Sequence, residues 1–216
     1  MLPLLLGKAR RRLKVLCLGA HSDDIEIGCA GTLLRLVDDG YRLDVTWVVA
    51  SADSKRVAEA TASARALLRG SGRLAPIFGE MTDAHFPAEF PQVKEFFRRL
   101  RANCDPDLVF THRIEDRHQD HRIVAELTWQ TWRNHLIVEY EIPKYEGDLG
   151  QPNLFVPLNR AQAHRKMRHL IEHFASQRSK DWFSEDAFAG LMRLRGIECR
   201  SPSGLAEAFH LRKAII

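Results

Sequence analysis

Four times between Leu13 and Trp132 an apolar run gives way to a stretch of helical spacing, and this alternation constrains the fold more than any other feature. The runs are 13–19 (LKVLCLG), 43–50 (LDVTWVVA), 75–80 (APIFGE) and 108–112 (LVFTH). Helices are expected over 25–37, 55–68, 93–104 and 123–132. The first run is apolar apart from Lys14, as suits a strand covered on both faces. The second is rich in β-branched and aromatic residues, which pack well on a pleated surface. Gly40 stops the first helix, and Pro87 and Pro91 introduce the third. Strands separated by helices pair in parallel through right-handed crossovers. The expected class is therefore α/β, a mostly parallel sheet flanked by helices.

After Asn134 the pattern changes. HLIVEYEIP (135–143) and NLFVPL (153–158) read as strands, followed by helices over about 160–175 and 186–194. The end, GLAEAFHLRKAII, alternates enough for a last strand, with a loop as the alternative. No internal repeat or linker is visible, so the second half is expected to cap the first within a single domain, 1–216. A chain of 216 residues suits that size.

Hydrophobic residues make up 45% and charged residues 28%, which excludes a disordered chain. The net charge of +4 comes largely from KARRR (8–12) and RRLR (98–101), with no interleaved aromatic stripe of the kind nucleic-acid readers carry. No nucleic-acid partner is expected. The apolar LPLLL (2–6) precedes the positive charges, the reverse of a secretory signal. No segment has the roughly 20 apolar residues of a membrane span. Cys17, Cys29, Cys104 and Cys199 are scattered without pair spacing, as reduced thiols would be. A cytoplasmic protein is expected.

Two strand ends carry unusual chemistry. The first strand runs into AHSDD (20–24), and the fourth into THRIEDRHQDH (111–121). The second stretch holds His112, Asp116, His118, Asp120 and His121 within ten positions. Adjacent carboxylates resist burial unless a positive charge offsets them, so a metal ion is the first candidate. His21 and Asp24 are three apart, as are His118 and His121, so each pair can face one point on a first helical turn. Neutral imidazole and carboxylate suit Zn2+, and Fe2+ or Co2+ could use the same set. Asp23 would then take a proton from water. His118, where not a ligand, would stabilise an oxyanion or protonate a leaving group.

AHSDDIEIGCAGTL and HRIEDRHQDH resemble the two signatures of the LmbE-like (PIG-L) deacetylases, usually written around AHPDD and HPDH. The resemblance implies a Rossmann-like fold and zinc-dependent removal of an N-acyl group, typically acetyl, from N-acetylglucosamine-containing compounds. It implies that His21, Asp24 and His121 bind the metal and that Asp23 is the general base. His118 would be the electrophilic or acid group, with Asp120 as its partner. Arg56, in RVAE (56–59), matches the family's R-x-x-E and would contact substrate. SQR (176–178) and GLAEAF (204–209) also look like family positions. Ser22 and Gln119 stand where the usual patterns have proline, and VVASADSK departs from the Gly- and Glu-containing loop of many members.

The expected partner is a small-molecule amino-sugar conjugate, with a homo-oligomer left open. Two alternatives use the same residues: a metal-dependent phosphoesterase, and a non-catalytic sugar- or metabolite-binding module. An iron(II) oxygenase is disfavoured, because its two-His-one-carboxylate site usually sits on a β-barrel. Of the remaining features, His85 and Phe86 could line a pocket, and 140–153 could form a substrate-facing lid. Trp129 and Trp132 are expected in core or subunit contacts, and His164, His169 and His173 at the surface or facing a partner.

Overall fold

The computed structural model describes residues 12–215; LPLLL and most of KARRR lie outside them. The order is β1 (Arg12–Gly19), α1 (Asp24–Asp38), β2 (Arg42–Val49), α2 (Ser54–Leu67), β3 (Leu74–Phe78), α3 (Phe90–Asn103), β4 (Leu108–His112) and α4 (Gln119–Thr131). Then come β5 (Leu136–Tyr140), β6 (Leu154–Pro157), α5 (Arg160–His173), α6 (Glu185–Glu198) and β7 (Ala206–Leu211). One seven-stranded sheet runs β3-β2-β1-β4-β5-β7-β6. The first five strands are parallel, and β7 lies antiparallel to both β5 and β6. The second half thus extends the sheet as well as covering it: β5, β7 and β6 complete one side, while α5 packs on α1 and α2.

Burial explains the strand sequences. From Val15 onward every residue of β1 is buried, because β1 is central and has helices on both faces. One core face gathers Val15, Cys17, Trp47 and Leu33 under α1, α2 and α5; the other gathers Leu16, Leu18, Val48, Phe97 and Trp132 under α3 and α4. At the outer edge, Pro76 sits in the middle of β3. Val45 N donates to Arg73 O and Gly79 N to Val49 O, so the alternate residue Pro76 faces away from β2. Its missing N–H falls on the unpaired side, where it blunts the edge against strand addition.

The strand order reverses between β1 and β4. The chain leaves β1 toward β2 and β3, then crosses back to β4 on the other side. Ligands of open α/β sheets bind beyond the carboxyl ends of the strands at such a point. Here it is where both His/Asp motifs emerge.

Candidate metal centre

Backbone geometry brings the first motif to its place. Gly19 ends β1 in a turn so tight that a Cβ there would lie 2.9 Å from His21 O and 3.3 Å from Asp24 Cβ. Asp24 opens α1, where the helix dipole favours its charge. Further along α1, Gly28 lies against the Tyr140 ring; a Cβ would come within 2.4 Å of it. Glycine therefore lets α1 pack close on β5 and sets the height of Asp24. The second motif leaves β4, and His118 is the N-cap of α4, its Nδ1 accepting from Asp120 N at 3.3 Å.

The two motifs meet. His21 Nδ1 is 3.2 Å from His121 Nε2 and 3.4 Å from Asp24 Oδ2, and His121 Nε2 is 3.5 Å from Asp24 Oδ1. Ligands about 2.0–2.1 Å from a tetrahedral zinc stand about 3.3–3.4 Å apart, so His21 Nδ1 and His121 Nε2 are spaced as two such ligands would be, with a different Asp24 oxygen near each. Neighbouring groups extend it: His21, His118 and His121 offer ring nitrogens within 4.8 Å of one another, as do donors of Asp24, His112 and His121, and of His21, Asp83, His118 and Asp120.

Each donor is itself held. His121 Nδ1 contacts Asp116 Oδ2 at 3.0 Å, leaving Nε2 for a cation, the usual carboxylate–histidine arrangement at metal sites. Asp116 also accepts from His118 N at 2.8 Å and from Lys144 Nζ at 3.0 Å. Burial would raise its carboxyl, yet His121, His112 and Lys144 hold it well below the usual range. Burial and the charge of His112 push His121 down to about 3 despite Asp24 and Asp116, which keeps the ring neutral and able to ligate. Burial likewise opposes ionisation of Asp24, and His121, His112 and His21 overcome it, lowering that carboxyl well below its ordinary value.

Asp23 differs from its neighbour. It is buried; Oδ1 accepts from Arg56 Nη2 at 2.8 Å, and Oδ2 has no hydrogen-bond partner among the described residues. Burial and the Asp24 charge raise its carboxyl, against Arg56 and His21. Two adjacent aspartates are thus driven in opposite directions, a pattern expected where one carries charge and the other moves a proton.

The remaining expected site residues fall as follows. The Asp120 carboxylate is not on the His118 ring: it accepts from Ala84 N at 2.7 Å and Phe86 N at 3.2 Å and lies 3.3 Å from His21 Nε2. Arg56 binds Asp23, and Glu59 of the same RVAE accepts from Ser176 N and Oγ, joining α2 to the SQR stretch. Gln119 donates to Ala84 O, and Ser22 is buried with its hydroxyl unpartnered among the described residues. Phe86 is buried, while His85 is exposed. Loop 141–153 is tied down by Lys144, which bridges Asp116 and Asp148, and leaves Tyr145 in solvent.

Two contributors escaped sequence reasoning. Asp83 Oδ1 lies 2.9 Å from His21 Nε2, and that hydrogen bond takes the Asp83 carboxyl down to about 2. The loop reaches inward through Ala84, a non-glycine residue at φ 62°. Lys144 is the other, its side chain only 7% exposed although its loop is rich in glycine and charge. A carboxylate two residues before His85 was the one available signal for Asp83; nothing local marks Lys144. Of the α5 histidines, His164 is exposed as expected, but His169 departs from expectation: it is buried, 2.8 Å from Ser63 Oγ, and stacks on His173.

A doubly wound α/β sheet with a His/Asp cluster at its switch point defines the class of this protein: an α/β protein with side chains grouped as a metal ion would need them. Residues 16–132 match the PIG-L family, described as GlcNAc-PI de-N-acetylase. That match spans both motifs and more than half of the chain, and the chain belongs to this family. A curated relative, the uncharacterized deacetylase YaiS of Escherichia coli (strain K12), is 28% identical over 146 residues, 64% of this chain and 79% of that protein. Among solved structures, the N,N'-diacetylchitobiose deacetylase of Pyrococcus horikoshii matches with a TM-score of 0.65 and 20% identity, over 92% of this chain and 83% of that one. The 4-carboxy-2-hydroxymuconate hydratase GalB of Pseudomonas putida KT2440 matches at 0.72 and 16% identity, over 94% and 97%. A deacetylase and a hydratase share this fold, so fold alone does not choose the reaction. Among the described residues no helix is long and apolar enough to cross a membrane.

Proposed function

We propose that this protein is a metal-dependent hydrolase that removes an N-acyl group, N-acetyl in the first instance, from an amino-sugar conjugate. The observation that carries the reading is the contrast within AHSDD. Asp24 stands 3.4–3.5 Å from two imidazole nitrogens. Asp23 beside it keeps a buried oxygen without a hydrogen-bond partner among the described residues. Family membership supports the de-N-acetylation, and the deacetylases among the relatives support a sugar substrate.

His21, Asp24 and His121 would hold the cation, with zinc the best match to two imidazoles and a carboxylate. Once bound, it would supply Lewis acidity toward water and the substrate carbonyl. Asp23 Oδ2 accepts the proton of the attacking water, while Arg56 holds Oδ1 and fixes the carboxylate plane. His118 is half-buried at the edge of the donor set, and burial and the charge of His21 lower its pKa. Its Nε2–H would donate a hydrogen bond to the oxyanion, and the proton that Asp23 took from water would pass to the leaving amine. Asp120, anchored by two backbone N–H groups, orients His21 rather than His118. The phosphoesterase reading is weaker, because such sites commonly use two ions.

The test is metal content and amine release, measured together on N-acetylglucosamine conjugates. Asp23→Asn should keep its metal and lose about 10²–10⁴ in turnover. Near-normal hydrolysis by that variant would remove Asp23 from the base role. A wild type that binds zinc yet frees no amine from any acylated amino sugar would favour a binding module.

A further inference from the structure

His112 ends β4 and is fully buried, yet the family resemblance assigns it no role. Its Nε2 lies 2.9 Å from Ala20 N and 3.1 Å from Asp24 Oδ2, so it contacts the first motif twice. Its ring stacks on His121 of the second motif, with centroids 3.8 Å apart and planes 18° from parallel. Tyr140 closes the other side edge-on at 4.9 Å, and its own hydroxyl is fixed on Leu18 O at 2.5 Å. The other ring nitrogen, Nδ1, is buried and has no partner among the described residues.

We propose that His112 is a positioning residue that registers the two ligand motifs against each other and thereby sets the affinity of the site for its cation. This rests on the metal reading above. The physical reason is that the two motifs are about a hundred residues apart in sequence and share no covalent constraint at the site. Asp24 Oδ2 accepts from His21 N at 2.6 Å as well as facing His112 Nε2, so the surroundings of Oδ2 are full and Oδ1 is left open toward His121. The stacked ring limits rotation of His121 about its own axis, complementing the bond to Asp116 at Nδ1. One atom, Nε2, cannot accept from Ala20 and donate to Asp24 at once. In either tautomer, though, it ties the turn after β1 to the end of β4. Orienting partners of this kind are worth about 10–100-fold in metal affinity.

Two variants separate the parts of this role. His112→Phe keeps the ring and its stacking but removes both polar contacts. His112→Gln keeps a polar group near the Nε2 position and gives up the stack. Zinc affinity is read by competition with a chromophoric chelator, and site geometry by the visible spectrum of the cobalt-substituted protein. Melting of each metal-free protein is followed in parallel. We expect His112→Phe to bind zinc about 10–100-fold more weakly with an altered cobalt spectrum, and His112→Gln to recover part of the loss. Zinc affinity within twofold of wild type in His112→Phe, with only the metal-free melting temperature lowered, would reduce His112 to a core residue and overturn the proposal. Failure of the wild type itself to bind zinc or cobalt would overturn the metal reading, and this proposal with it.

Discussion

At its N-terminal end α1 presents Asp23 and Asp24 to a group of imidazoles; about two turns further along, Gly31 and Thr32 of the same helix hold the carboxylate of Glu207. Both places are buried and charged, but they are balanced differently. Glu207 accepts from Gly31 N, Thr32 N, Thr32 Oγ1 and Lys166 Nζ, and Lys166 also donates to Ile27 O. One anion meets one cation, and neither the ammonium nor the carboxylate is left bare. At the strand ends, Asp23, Asp24, Asp116 and Asp120 outnumber the nearby fixed cations, Arg56 and Lys144, and Asp23 Oδ2 and His112 Nδ1 lack partners among the described residues. A closed network of this kind supports the fold. An open one, with acceptors in excess, suits the cation we propose for it.

The strongest way to break the comparison is to open the closed network. Lys166→Met leaves the Glu207 charge buried without its cation, which should cost about 3–5 kcal/mol and lower the denaturation midpoint sharply. Metal content of the protein that remains folded should not change. Adding Glu207→Gln should restore much of the lost stability; a double variant as unstable as the single would mean that packing, not charge, accounts for the loss.

A smaller effect is expected at Arg56. Its guanidinium opposes the upward push that burial and Asp24 exert on Asp23. A carboxylate base works above its pKa and fails as pH falls through it. Removing the positive charge with Arg56→Ala should therefore move the acidic limb of the kcat/KM profile upward, by roughly one pH unit. Arg56→Lys, which keeps the charge, should move it less. A limb that stays put while KM alone rises would return Arg56 to the substrate-contact role expected from the sequence.

The smallest effect belongs to His169, far from the strand ends. Burial and the charges of His173 and Arg165 hold it down to about 4. An unfolded histidine takes up its proton near 6.5, so between those values the unfolded chain binds more protons. The contribution of His169 is therefore complete above about pH 6.5 and is lost progressively as pH falls toward about 4. His169→Gln should flatten that part of the curve of urea midpoint against pH. An unchanged slope would show that His169 is protonated alike in both states.

Much of the fold was legible before any coordinates, because hydrophobic period and punctuation are local properties. Buried β1, the β-branched β2 and the short β4 stand where their sequences place them, and the helix starts differ mainly by a capping turn. Of the site, AHSDD and HQDH were visible as chemistry because carboxylates and imidazoles at strand ends are conspicuous against an apolar background. Sequence could not say which carboxylate serves which partner. Asp120 sits two residues from His118 yet spends its oxygens on Ala84, Phe86 and His21, since those groups reach it across the sheet end from another loop. For Arg56 the match of RVAE to the family's R-x-x-E implies a substrate contact, and its hydrogen bond to Asp23 depends on how α2 sits beside α1.

What the sequence alone determined is the set of local decisions: where strands and helices form, that the sheet is mostly parallel, and which short stretches are rich in metal-binding side chains. Tertiary structure decided the pairings that make those stretches one place. It set β4 beside β1, stacked His112 on His121 and brought Asp83 and Lys144 in from loops with no pattern of their own. The physical reason is range. Propensity and periodicity act over a few residues, whereas the neighbours that shift a pKa or orient a ligand are chosen by packing across the whole sheet.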